Sequence, residues 1–312
     1  MTLLIQGQSL KNGHYSEKID GLMISYLIKG SGPVMLVGNP NSGKTGYELS
    51  LQPLEKHFTM VYYDSRGTGE SETPDHLSDY NSDNMVAEME NLRKKLNTDK
   101  IWIFGHSDQS ALALLYALKY QNHIVGMILT GTSFVKSTED LQKRRKKSEE
   151  KRINESPWFA QVVKDWDYME IHKTNTSQDG RDLSAAKTKW WCYNEESSQK
   201  VIPISNAVSK AGKRRPIRGK NYYSPTDLDK YVKMQTFFSN IKTKTLIING
   251  KYDTNNPPEY AEQLHQLLPN STFILIEKAG HFPWAEDPEI TFKAIEKWLQ
   301  NLPERKKLSL IK

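Results

Sequence analysis

The sequence predicts an α/β fold, a mostly parallel sheet with helices on both faces, interrupted by a helical insertion. Three observations lead there. Through the first 134 residues short apolar runs alternate with amphipathic segments, and from 135 to about 238 that alternation gives way to a basic, irregular, helix-rich stretch. Beyond residue 238 the alternation resumes. Strands that are apolar on both faces and separated by helices belong to a sheet covered on both sides. The 312 residues therefore divide into a core (1–134), an insertion (135–238) and the rest of the core (239–312). This arrangement needs no second independent domain, although the length approaches two at ~150 residues each.

The elements follow in order. Met23–Ile28, Val34–Gly38, Phe58–Asp64 and Ile101–Gly105 are apolar runs of strand length. Met85, Met89, Leu92 and Leu96 recur at helical spacing, so a helix precedes the Ile101 strand. The run after Ser110, ALALLYALKYQ, is an almost wholly apolar helix, and Ile124–Gly131 is a further buried strand. After the insertion TKTLIING and STFILIE read as strands, with PPEYAEQLHQLL and ITFKAIEKWLQ as the helices that follow them.

Composition narrows the function classes. Hydrophobic residues at 37% and charged residues at 26% describe an ordinary globular chain. No run reaches the ~18 apolar residues of a membrane span, and no secretory signal is visible. A single cysteine, Cys192, excludes an internal disulfide framework and a multi-cysteine metal site. The expectation is a cytoplasmic protein with no cofactor and no metal. Residues 135–240 hold 22 Lys/Arg against 14 Asp/Glu, an excess larger than the net +6 of the whole chain. The runs Lys143–Lys147 and Lys213–Arg215 lack interleaved aromatics or a nucleic-acid fold signature. They are expected to be solvated faces, with no nucleic-acid or membrane partner.

Two motifs carry candidate chemistry, and they compete. In the first, Ile101–Ser110 is a strand turning sharply into a helix with Ser107 at the turn, the geometry of a nucleophile elbow. Gly105 supplies the small residue needed two positions before, whereas Gln109 stands where a second glycine is usual. Asp253 and His281 each lie just after a predicted strand, in the order Ser, Asp, His. Residues in such loops converge on one edge of an open sheet. The second motif, Gly38–Thr45, is a literal G-x-x-x-x-G-K-T phosphate loop after a strand. Against it, Pro53 interrupts the helix that should follow, no guanine-reading Asn-Lys-x-Asp exists, and Gly38 and Asp64 are only 26 residues apart. A nucleotide hydrolase is therefore the weaker expectation.

The chain resembles the α/β-hydrolase superfamily, in the group of serine hydrolases that contains proline iminopeptidases, esterases and lactonases. The resemblance covers roughly residues 20–134 and 238–300. It rests on the elbow and on Asp64–Ser71, similar to the D-x-R-G-x-G-x-S loop. It rests also on Gly38–Ser42, similar to an H-G-N-P-x-S oxyanion loop with Val37 in place of histidine, and on the Asp253 and Gly280-His281 contexts.

The resemblance implies an α/β-hydrolase fold with an inserted helical cap. It implies Ser107 as nucleophile, His281 as general base and then acid, and Asp253 as the residue that orients the imidazole. The backbone N–H groups of Asn39 and Asp108 would form the oxyanion hole. The serine argues against the aspartate-dependent dehalogenases and epoxide hydrolases. The function expected is cleavage of a small-molecule carboxylic ester or lactone through an acyl-enzyme. A bulky apolar substrate such as a macrocyclic lactone would be compatible.

Trp190, Trp191 and Tyr193 are candidate substrate contacts, with cap core as their other reading. Proline iminopeptidase-like activity is the alternative, lowered because the family's H-G-G-P-G and G-G-S-W-G loops and acidic cap differ from Val37–Asn41, Gly105–Gln109 and a net basic insertion. A non-catalytic binding protein on the hydrolase scaffold is a further alternative. The oligomeric state is not readable from the sequence.

Overall fold

The apolar runs become the strands of one sheet in a computed structural model that describes residues 10–132, 138–172, 185–215 and 225–303. The strands are β1 (Gly13–Ile19), β2 (Leu22–Gly30), β3 (Val34–Asn39), β4 (Thr59–Asp64), β5 (Ile101–His106), β6 (Ile124–Thr130), β7 (Lys244–Gly250) and β8 (Ser271–Ile276). Their order across the sheet is β1-β2-β4-β3-β5-β6-β7-β8. From β4 to β8 all neighbours are parallel, and β4 and β5 are buried along their whole length. β2 runs antiparallel to both β1 and β4. β1 has no counterpart among the apolar runs of the sequence. It is an edge strand whose residues alternate between half-buried and exposed, so no continuous apolar run marks it.

Helices cover both faces. α1 (Thr45–Glu48), α2 (Ser82–Lys95) and α3 (Asp108–Tyr120) precede the insertion; α9 (Pro258–Leu267), α10 (Pro283–Glu286) and α11 (Pro288–Asn301) follow it. The Asn81 side chain caps α2 by accepting from the Asn84 N–H, and Met85, Met89 and Leu92 are buried on one of its faces, as their spacing predicts. One apolar layer joins these residues to Leu112, Leu114 and Leu264. The layer on the opposite face joins Tyr47, Leu54, Trp284, Ile295 and Leu299.

Between β6 and β7 lie α4 (Thr138–Glu155), α5 (Pro157–His172), α6 (185–191), α7 (Glu195–Lys210) and α8 (Pro225–Met234). Phe159, Val162 and Trp190 form a small separate core there, with Trp158 and Trp166 against it. The basic runs differ from the expected solvated faces. Arg144 pairs with Asp140 and lies over the Tyr260 ring, and Arg145 donates to the Asn255 carbonyl. Lys213 donates to the Ser71 carbonyl and Arg215 to that of Tyr80. Part of each run therefore fastens the insertion to the sheet, while Lys143, Lys146, Lys147 and Arg214 remain exposed. Among the described residues no helix is long and apolar enough to cross a membrane.

The phosphate-loop pattern has a structural explanation. Lys44 is buried, with Nζ 2.5 Å from Asp64 Oδ2 and 3.0 Å from Glu70 Oε2. The Lys44 backbone N–H also donates to Asp64 Oδ1 at 2.7 Å. The ammonium is thus fixed by carboxylates and cannot serve a phosphate, and α1 ends after four residues. Removing one partner of a buried pair leaves the other uncompensated, so Lys44→Ala is expected to cost about 3 kcal/mol in urea unfolding. Neither GTP nor Mg²⁺ should raise the melting temperature of the wild-type chain. A nucleotide-induced rise would restore the phosphate-loop reading.

Candidate active site

The turn from β5 into α3 strains the backbone. Ser107 sits there at φ 53°, ψ −124°, a conformation that costs an L-residue on the order of 1–3 kcal/mol. Three contacts hold it. The Ser107 N–H donates to the Thr130 carbonyl at the end of β6, while the Ser110 N–H and hydroxyl donate back to the Ser107 carbonyl. At Gly105 a Cβ would meet the Ser110 Cα at 2.9 Å, so the chain doubles back only because that position has no side chain. Gln109 needs no such space. Its side chain runs into the buried layer, where Nε2 donates to the Tyr63 hydroxyl at 3.1 Å. The glycine expected there is replaceable for that reason.

The structure brings Asp253 and His281 together beside this turn. Asp253 follows β7, His281 follows β8, and both are almost wholly buried. His281 Nδ1 lies 2.8 Å from Asp253 Oδ2. The carboxylate's other oxygen accepts from the Asn256 N–H at 2.8 Å, which fixes its rotamer. A proton on Nδ1 shared with the carboxylate leaves Nε2 with its lone pair free to act as a base. The His281 ring lies 4.5 Å from the ring of His106, the residue immediately before Ser107. Close approach is permitted by Gly131, at φ 50°, where a Cβ would meet His281 Nδ1 at 3.0 Å.

His106 and Tyr47 were not legible as site residues. His106 Nε2 lies 3.1 Å from the His281 carbonyl, which can only accept, so Nε2 carries the proton. Nδ1 then accepts from the Tyr47 hydroxyl at 2.9 Å. Burial pushes the Tyr47 phenol far up, which keeps it a donor, and it pushes His106 well below its usual value, which keeps the imidazole neutral. The Tyr47 oxygen also receives the Asn39 amide at 3.5 Å. A chain of polar contacts thus links the end of β3 to the His281 loop.

The two proposed oxyanion donors flank the turn. Asp108 opens α3, and Asn39 ends β3, two residues past the last β3–β5 pair at Val37 and Phe104. The Asn39 side chain accepts from the N–H groups of Asn41 and Ser42, which shapes this loop, and Asn41 Nδ2 donates to Asp108 Oδ2 at 2.7 Å. Val37 is fully buried in the apolar layer. Of the three aromatic candidates, Trp191 lies 5.8 Å from the His281 ring and the Tyr193 ring lies tilted against Tyr252, 4.6 Å between centres. Trp190 is different. It is buried against Trp166 in the small core of the insertion.

Known proteins share this fold. The profile of the alpha/beta hydrolase fold family matches residues 34–288. The chain belongs to that family. It is 27% identical to a proline iminopeptidase of Saccharolobus solfataricus over 96% of each chain. It is 28% identical to one of Clostridioides difficile over 85% of this chain and 88% of that one. An alpha/beta fold family hydrolase of Bacillus anthracis superposes with a TM-score of 0.72 at 20% identity, covering 92% of this chain and 99% of that one. A thermophilic esterase of Thermogutta terrifontis gives 0.63 at 22%, covering 94% and 98%. The fold class and the expectation of an enzyme of hydrolase type agree with these matches.

Buried ionisable groups make the stability of this hydrolase depend on pH in two opposing senses. Glu88 and Glu286 are pushed up to about 7 by burial, so they add stability as pH falls from 7 toward the unfolded carboxylate range. His106 acts the other way. Its folded value is depressed, so the unfolded chain takes the proton first and stability is lost below about pH 6.5. The stability difference between wild type and His106→Gln isolates this contribution. Between pH 6.5 and 5.5, urea unfolding should show that difference moving by about 1 kcal/mol against the wild type. A difference independent of pH would mean that His106 is not held neutral.

Proposed function

We propose that the chain is a serine hydrolase that cleaves a small-molecule carboxylic ester or lactone through an acyl-enzyme. The 2.8 Å bond between His281 and Asp253, beside the strained Ser107, carries this reading. Ser107 Oγ attacks the carbonyl carbon while His281 Nε2 takes its proton, and the imidazolium then protonates the departing alkoxide. Water attacks the acyl-enzyme by the same route in reverse. Asp253 keeps the imidazole in the required tautomer. The N–H groups of Asp108 and Asn39 receive the developing oxyanion, each such donor being worth ~10²–10³-fold in rate.

Residues 135–238 act in this reading as a cap that excludes water and contacts the substrate's apolar body. Trp191 and Phe282 offer that body an aromatic surface beside His281. A cytoplasmic setting accords with the one cysteine, buried as a thiol. A second reading, removal of an N-terminal proline, is favoured by the proline iminopeptidases that the chain resembles over most of its length. A panel of aryl esters, lactones and prolyl amides separates the two by kcat/KM.

Ser107→Ala is expected to fold normally, to take no fluorophosphonate label and to lose ~10⁴-fold or more of kcat on an activated ester. His281→Ala and Asp253→Asn should add little to that loss, because the three act as a unit. Retention of a few per cent of kcat in Ser107→Ala would sink the assignment, and an unlabelled wild type would favour a binding protein on this scaffold.

The tryptophans should separate. Trp191→Ala should weaken kcat/KM for a large apolar ester by ~1–3 kcal/mol while barely changing hydrolysis of p-nitrophenyl acetate. Trp190→Ala should lower the melting temperature and affect both substrates alike. Reversed behaviour would move the substrate surface to Trp190.

A further inference from the structure

Two buried charges outside the Ser107 constellation meet on one short piece of chain, Trp190 to Tyr193. Arg152 of α4 is 4% exposed, and its guanidinium lies 3.7 Å from the centre of the Phe159 ring. Nη1 donates to the carbonyls of Trp190 (3.3 Å) and Tyr252 (3.1 Å) and to Thr254 Oγ1 (2.8 Å). Nη2 donates to the carbonyls of Cys192 (2.7 Å) and Tyr193 (3.0 Å). Tyr252 and Thr254 flank Asp253.

Glu286 of α10 is 2% exposed and serves the other loop. Its Oε2 accepts from the N–H groups of Tyr193 at 2.7 Å and Gly280 at 3.0 Å, and Oε1 accepts from Phe282 at 3.0 Å. Gly280 and Phe282 flank His281. Between the two charges, the His281 N–H donates to the Trp191 carbonyl at 2.8 Å. One segment of the insertion is therefore bonded to both neighbours of Asp253 through Arg152 and to both neighbours of His281 through Glu286.

We propose that Arg152 and Glu286 are positioning residues of this hydrolase, clamping the Trp190–Tyr193 segment onto both loops and so setting the alignment of His281 with Asp253. The proposal rests on the reading of that pair as the base and its orienting acid. Charged groups buried this deeply are costly, and an apolar pair could fill the same volume. What an apolar pair could not supply is direction. The bonds are charge-assisted and run mostly to main-chain atoms, so they fix where each loop sits rather than only how tightly it packs.

The clamp is also sensitive to pH. Glu286 faces Arg152 of α4, the Cys192 thiol and Asp253, it holds the N–H groups on either side of His281, and Lys200 of α7 donates to its backbone carbonyl. Burial pushes its carboxyl up to about 7. Protonation puts a hydrogen on one oxygen and so weakens an acceptor for a loop N–H.

The test uses the full chain, p-nitrophenyl acetate, and fluorophosphonate labelling to count working sites. In Arg152→Lys and Glu286→Gln, kcat per labelled site should fall roughly tenfold, within the ~100-fold that a displacement of about 1 Å costs. KM should stay within about twofold. Glu286→Gln should also lose the ionisation near pH 7 from the acid limb of kcat/KM. Glu286→Gln keeps the side chain's shape, so it carries the test alone if the arginine variant does not fold. A wild-type kcat per labelled site in either folded variant overturns the proposal, as does an unchanged acid limb in Glu286→Gln. A loss confined to the amount of labelled protein is plain destabilisation and overturns it too. If the wild type takes no label, the triad reading fails and the clamp falls with it; if only the variants behave as wild type, the clamp alone falls.

Discussion

The reversal of the chain between β5 and α3 constrains the rest of the molecule. A strand from the middle of the sheet must become a helix within one residue, and the strain of doing so appears at Ser107, at φ 53°. Such a conformation persists only where neighbours over-determine it. Here the Thr130 carbonyl of β6 holds the Ser107 N–H, the Gly105 backbone admits Ser110, and the buried face of α3 anchors the helix that leaves the turn. The same reversal opens room at the sheet edge between β3 and β6. Into that room come the loops after β7 and β8, with Gly131 allowing the His281 ring close to the β6 end. The placement of Ser107, His281 and Asp253 is thus a consequence of one backbone event and of the parallel strand order around it.

How much of this was legible depends on how local each signal is. β3 to β7 announced themselves because strands buried on both faces are continuous apolar runs. β1 did not, since an edge strand needs only alternate contacts. The antiparallel setting of β2 is also invisible in its composition, because direction depends on which strand it meets. Ser107, Asp253 and His281 could be found because each follows a strand in a recognisable context. Tyr47 and His106 could not: a histidine inside G-x-S carries no sign that its ring accepts a bond from a tyrosine 59 residues earlier. Arg152 was hidden in a basic helix, as its acceptors are carbonyls about 40 and 100 residues away.

The tryptophans and basic runs teach a related point about composition. Four tryptophans in one stretch mark a place where aromatic surface is buried, but not against what. Trp190 and Trp191 are adjacent in sequence, yet one completes the core of the insertion and the other approaches His281. Successive helical residues point about 100° apart, which is enough to assign them different partners. Likewise Arg144 and Arg145 sit within a run of five basic residues and are used to fasten α4 to the segment from Asn255 to Tyr260. Net charge predicted a solvated face, whereas position turned part of it into attachment.

That attachment bears on how the insertion is coupled to the His281–Asp253 pair. An insertion that merely covered the sheet could change its residues without disturbing that pair. Here the chain from Trp190 to Tyr193 lies against His281, and its carbonyls and amides share acceptors and donors with both loops of the His281–Asp253 pair. A change that shifts this segment also shifts the frame in which the imidazole is held. The main-chain bonds of Trp190 to Tyr193 are where the insertion and the frame of the imidazole move together.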